Sequence, residues 1–208
     1  MLGRVAASAT QPTPEPDDME KLRAARGEGW QWSRIQEESC PQCGLNPAGM
    51  NPDTLGERVV ELAAMWHVFL VEADVDYLRH SPEPGVFSPM QYGAHVSGTL
   101  RVAGDRLQLG LEQDAPTVPM FNPGQDEWAS YNQLDAEELA GELEANARRV
   151  ADILDGLDTT GWCRTVVNDR GQYGVLTFTL VGIGRNAVHE SHHHLLDAKG
   201  TLGLGATP

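Results

Sequence analysis

The stretch LVGIGRNAVHESHHHLLD, residues 180–197, decides the fold because one helical period carries both its apolar and its polar signal. At about 100° per residue, Phe178, Val181, Gly182, Arg185, His189, His192, His193 and Leu196 share a sector, so the core-facing stripe also holds imidazoles. His189 and His193 are one turn apart and reach a common point, whereas His194 points well away from His189. Thr177 is the expected N-cap of this helix, and Lys199-Gly200 stops it after Ala198. A chance His-rich helix would also offer close pairs, His189 with His192 among them. The order His189-Glu190 fits the start of a His-Glu-x-x-His zinc-protease helix as well, which keeps Glu190 as a candidate catalytic general base.

Upstream, three more helical patterns are available to pack against it. Asp53 or Thr54 caps a run with Leu55, Val59, Leu62, Ala63, Trp66, Phe69 and Leu70 at helical spacing, ending before His80. Ser88-Pro89 supplies a cap followed by proline at the first helical position, and a helix runs from Met90 to about Glu112 with His95 in its second turn. Asp135 caps a third, in which Leu139, Leu143, Val150, Ile153 and Leu154 form a stripe opposite a charged face. The loop from Asp114 to about Leu134 is long enough to cross the end of a bundle or cover a site. WCRTVVNDRGQYGVL alternates like a strand pair turning around Asn168 to Gly171. The expected fold is therefore all-α, a four-helix bundle with a small hairpin before the last helix.

The 208-residue chain has room for one such domain. Residues 1–18 lack an apolar period and read as a disordered tail, 19–52 as an extension with a possible short helix from Met19 to Trp32, 53–200 as the bundle and 201–208 as a flexible end. Fifteen Lys and Arg against 30 Asp and Glu give a net charge of −15, which opposes binding to nucleic acid or an anionic membrane. No apolar run reaches the roughly 20 residues of a membrane span, and the first residues lack a signal-peptide core, so a cytoplasmic protein is expected. Three cysteines argue against a disulfide framework. Cys40-Pro-Gln-Cys43-Gly resembles half of a zinc knuckle, yet a structural zinc needs four ligands and no second CxxC is present; a redox dithiol is one alternative. Cys163, beside Trp162, reads as a small apolar residue. Arg185, one turn before His189, needs an anion: either a substrate carboxylate, which makes it a substrate-binding residue, or an acidic side chain of a neighbouring helix. Arg101 and Arg106 read as partners in structural pairs.

Two segments carry a family resemblance. PGVFSPMQYGAHVSGTLRVAGDRL, residues 84–107, has a Ser-Pro helix start before a single His, and the 180–197 stretch has Arg before a His-x-x-x-His pair. Together the chain resembles the DinB/YfiT-like family over about residues 40–198, and within it actinobacterial members related to mycothiol-dependent maleylpyruvate isomerase and mycothiol S-transferases. The resemblance implies a divalent metal, Zn2+ before Ni2+ or Fe2+, held by His95, His189 and His193. Gly98 departs from it, because many relatives carry an acidic residue there. Cys-Pro-x-Cys-Gly segments precede the bundle in similar actinobacterial proteins, which implies that Cys40 to Gly44 form a tight turn packed against the first helix.

Three imidazoles leave a metal its full charge and an open position, which suits thiolate attack on an electrophile as well as hydrolysis. The implied function is a metal-dependent thiol S-transferase or isomerase that uses a low-molecular-weight thiol such as mycothiol on a small electrophile, as monomer or homodimer. A metal-dependent hydrolase and a non-catalytic, stress-associated metal-binding protein are the alternatives.

Overall fold

A computed structural model of the chain describes residues 38–121, 123–169 and 174–200. The expected 1–18 tail, the Met19 to Trp32 helix and the 201–208 segment lie outside the described residues.

Two short turns start at prolines, Pro47–Gly49 capped by Asn46 and Pro52–Thr54 capped by Asn51. The second runs directly into α1, Leu55–Glu72, so the cap falls on Asn51 and neither Asp53 nor Thr54 caps the helix with its side chain. Asp74 restarts the chain in a short α2, Val75–Arg79. The helix α3, Pro89–Glu112, opens with a capping box: Ser88 Oγ accepts from Gln91 N at 3.1 Å, and Gln91 Oε1 accepts from Ser88 N at 2.9 Å. Strand β1, Thr117–Pro119, and α4, Gln125–Ser130, lie in the segment read as a loop. Asp135 caps α5, Ala136–Asp155, as expected, and Asp158 caps a short α6, Thr159–Cys163. Strands β2, Thr165–Asp169, and β3, Val175–Thr179, form the expected hairpin, although Asn168, read as the start of the turn, lies inside β2 opposite Leu176. Thr177 therefore lies in β3, and Thr179 caps α7, Leu180–Ala198, by accepting from Gly182 N.

The four long helices form a bundle in which consecutive helices are not always neighbours. Helix α1 packs against α5 and α7, and α3 packs against the same two, so α1 and α3 stand diagonally opposite. Their buried faces carry Leu62, Trp66 and Leu70 from α1, Leu100 and Leu107 from α3, Leu143 and Val150 from α5, and Ala187 and Val188 from α7. Each large side chain buried in this way contributes about 1.5–3 kcal/mol. Trp66 Nε1 donates to Ser191 O at 2.9 Å and so ties α1 to the histidine-bearing end of α7. At Gly184 a Cβ would lie 3.0 Å from Leu154 Cδ2 and 3.2 Å from Leu55 Cδ1, so its absence lets these side chains of α5 and α1 pack directly on the α7 backbone.

The hairpin is joined by β1, which runs parallel to β2 with Val118 opposite Asn168. Three residues of strand are too few to produce a readable alternation, which is why β1 escaped the sequence. It anchors the 114–134 segment at one end, and Met120 N donates to Asp169 O at 3.0 Å. No helix among the described residues is long and apolar enough to cross a membrane.

Ser88 is fully buried and also donates to Asn132 Oδ1 at 2.5 Å, so it joins the α3 cap to the far end of the 114–134 segment. Ser88→Ala is expected to lower unfolding free energy by about 1–2 kcal/mol in denaturant melts with the bundle retained. An unchanged midpoint would mean the cap contributes nothing.

Candidate metal centre

Helix α7 holds two i,i+4 donor pairs, His189 with His193 and Glu190 with His194. They are offset by one residue, or about 100° of rotation, and so face different sectors. On one side the ligand atoms of Cys40, Cys43, His189 and His193 all lie within 4.8 Å of one another. On the other side, toward α3, those of His95, Glu190 and His194 do the same.

This regroups the expected residues. His189 and His193 converge with each other but not with His95, because the 38–50 segment fills the sector they face and α3 approaches the next one. His194 does point away from His189, as its spacing requires, and that direction leads to His95. Glu190 Oε2 lies 3.2 Å from His95 Nε2 and 3.4 Å from His194 Nε2. It sits among the donors of the second cluster, where a role as general base would leave that cluster without its carboxylate. The Glu190–His194 spacing was a readable signal, since a carboxylate and an imidazole one turn apart form as good a donor pair as two imidazoles. The missing half of the CxxC motif was readable too, in the His-x-x-x-His pair.

Burial opposes ionisation of Glu190, but the neighbouring imidazoles of His189, His194 and His95 outweigh it and hold the carboxyl well below the usual range. Burial likewise disfavours the cationic form of His194, yet hydrogen bonds to Asp197 and Glu190 raise its pKa to about 9. Across the helix, the Cys43 side chain hydrogen-bonds Cys40 and lowers the Cys40 pKa despite its burial, with further help from His189 and His193. The same bond, together with burial, raises that of Cys43. Both clusters thus favour an anionic donor next to imidazoles.

Asp197 serves both sides. Its Oδ2 is 2.8 Å from His194 Nδ1 and 3.5 Å from His193 Nε2, whereas His194 Nε2 faces Glu190 and His193 Nδ1 faces Cys40. The nitrogens near Asp197 are those turned away from the clusters. Although Asp197 also makes a close set with the two histidines, it therefore acts as an orienting carboxylate that selects which nitrogen each ring presents.

Aromatic rings wall the His95 side. Tyr92 stacks on His194 with centroids 5.3 Å apart, Phe121 lies parallel to His95 at 6.2 Å, and Trp128 is 5.4 Å from His95. Phe121 and Trp128 come from the 114–134 segment, which covers this site. A Cβ at Gly98 would lie 2.8 Å from Phe121 Cζ, so the glycine makes room for that ring.

Arg185 does not reach either cluster's donors. Its Nη2 donates to Met50 O at 2.9 Å, bracing the segment that carries the cysteines. His192 is half-buried and outside both clusters. Cys163 is exposed rather than packed as a small apolar residue. Arg101 pairs with Asp105 at 3.7 Å, as expected, while Arg106 donates to Pro119 O at 2.8 Å. An open hollow of about 780 Å³ lies between α1 and α5, lined by Asp53, Val60, Asp152 and Trp162, and contains none of the clustered donors.

Metal-to-nitrogen and metal-to-oxygen bonds of about 2.0–2.2 Å set donor–donor edges of roughly 3–3.5 Å, and the 3.2 and 3.4 Å separations around Glu190 fit them. Fold and donor chemistry thus define a helical bundle with metal-binding potential concentrated on its last helix. The chain belongs to the DinB superfamily, whose family model matches residues 58–198. It is similar in fold to YfiT from Bacillus subtilis, described as a probable metal-dependent hydrolase with an unusual four-helix bundle topology. The TM-score is 0.61 at 18% identity, over 72% of this chain and 85% of that one. Comparison with curated proteins gives no match.

Removing the orienting carboxylate tests the assignment of Asp197. Asp197→Asn is expected to weaken metal uptake by about 10–100-fold in competition with a chelating dye, whereas His192→Ala leaves it unchanged. Loss of uptake in the His192 variant alone would reverse the ligand choice.

Proposed function

We propose that His95, Glu190 and His194 hold a divalent metal, Zn2+ in the first instance, at which a low-molecular-weight thiol is activated for addition to, substitution in or isomerisation of a small electrophile. The observation that carries this reading is the position of Glu190 between the two imidazoles. It occupies Glu190 as a ligand and removes it from proton transfer. When bound, the ion supplies Lewis acidity, which lets a thiol be deprotonated near neutral pH without a dedicated general base.

The chain's own residues do the rest. His95 and Glu190 bring α3 and α7 to one point, and Asp197 orients His194 so that Nε2 faces the site. Tyr92, Phe121 and Trp128 provide flat apolar walls that exclude water and hold a planar or ring-bearing substrate. The resemblance to mycothiol-dependent enzymes supports mycothiol as the thiol, and three cysteines in a chain without a disulfide framework are compatible with a reducing compartment.

A hydrolase is the second reading, supported by the description of YfiT. It would require a base to activate water at the metal, a role for which neither Glu190, held as a ligand, nor Asp197, set on the His194 nitrogen turned away from the site, is placed.

Metal-loaded protein given mycothiol and a panel of electrophiles is expected to yield thioether or isomerised products. His95→Ala, Glu190→Gln and His194→Ala should each lower the rate by about 100-fold or more. Turnover of ester or amide substrates at an undiminished rate without thiol would overturn the thiol assignment in favour of hydrolysis.

A further inference from the structure

We propose that Cys40, Cys43, His189 and His193 form a second metal site, a closed tetrahedral Cys2His2 zinc site that fastens residues 38–50 to α7 and sets the rotation of that helix. The inference does not rest on the function proposed above, because it concerns different donors on a different face.

The donor set is the first argument. Two thiols and two imidazoles that mutually converge are the soft and borderline ligands that select tetrahedral zinc. The spacing C-x2-C with H-x3-H is that of structural zinc modules, here split between a turn and a helix 145 residues and more apart in the chain. Geometry is the second. Bonds of about 2.3 Å to sulfur and 2.0–2.1 Å to nitrogen, opened to a tetrahedral angle, place sulfur and nitrogen about 3.6 Å apart. Cys40 Sγ and His193 Nδ1 are 3.6 Å apart.

The cysteine turn is the third. Cys40 N donates to Leu45 O at 2.8 Å and Gly44 N to Cys40 O at 2.9 Å, with Gly44 at φ +73°, a conformation glycine adopts without strain. Neither cysteine is in a disulfide.

Closure distinguishes this site from the other. Cys40, His189 and His193 are 2%, 0% and 4% exposed and Cys43 is half-buried, and the protein supplies four donors, as many as a tetrahedral ion takes. Such a site holds structure and leaves no position for substrate. The surrounding contacts agree. Arg185 reaches Met50 O, Pro47 is buried, and the 47–49 turn packs on α7. Fixing the azimuth of His189 and His193 also fixes that of Glu190 and His194 one residue on, which must face His95.

The test uses full-length protein purified under reducing conditions. Zinc is counted by elemental analysis, and cobalt(II) is exchanged for zinc to read the ligands. Wild type is expected to show thiolate-to-cobalt charge-transfer absorption with intense tetrahedral d–d bands. Cys40→Ser and Cys43→Ser should lose this signature and about one equivalent of zinc, while His95→Ala retains the signature. Should a cysteine variant fail to fold, alkylation of the wild type decides. Cys40 and Cys43 should react at least ~10-fold more slowly with zinc than after chelation, against exposed Cys163 as the internal standard. Absence of the thiolate band in wild type, alkylation that ignores zinc, or recovery of Cys40 and Cys43 as a disulfide would overturn the proposal.

Discussion

Adjacent residues on an α-helix differ by about 100° in direction, so two pairs of donors offset by one position cannot serve the same point. Helix α7 exploits that constraint. His189 and His193 look toward the cysteine turn, Glu190 and His194 look toward α3, and Asp197 stands behind one histidine of each pair. Everything that positions α7 therefore bears on both clusters at once: the Trp66 indole on Ser191 O, the close approach allowed by Gly184, and the Arg185 brace on Met50 O. A small rotation that improved one cluster would spoil the other. The two groups of donors thus constrain each other through the rigidity of a single helix.

The bundle order gives this arrangement its shape. Because α1 and α3 stand diagonally across from each other, α7 is flanked by both of them and can be tied to α1 by Trp66 while presenting its next sector to His95 of α3. The covering segment then closes the α3 side. Its start is held by pairing of β1 with β2 and its end by the Ser88–Asn132 bond, and between these anchors Phe121 and Trp128 are laid over His95. Gly98 belongs to the same construction, since a side chain there would occupy the space of the Phe121 ring.

Much of this was legible before any coordinates. The helical periods of α1, α3, α5 and α7, the Ser88 and Asp135 caps and the 165–179 hairpin follow from local chemistry, which is what sequence spacing records. The family resemblance correctly pointed to the DinB superfamily, while its finer mycothiol-dependent branch is carried here only as a proposal. The grouping of donors was harder to see, for a definite reason. Spacing along α7 shows which residues share a sector but not which element faces that sector. Assigning His95 to the His189 sector was a choice the periodicity could not make. The 38–50 segment was decisive, and it has no helical or strand period to reveal where it packs. Cys40 and Cys43 were set aside for want of a second CxxC, although the His-x-x-x-His pair was in view and chemically equivalent as the other half.

The central claim, that α7 divides its donors between two sites, is tested most directly by anomalous diffraction at the zinc edge from crystals of zinc-loaded protein. The account predicts two separate anomalous peaks, one among Cys40, Cys43, His189 and His193 and one among His95, Glu190 and His194. A single peak shared by His95, His189 and His193 would contradict it.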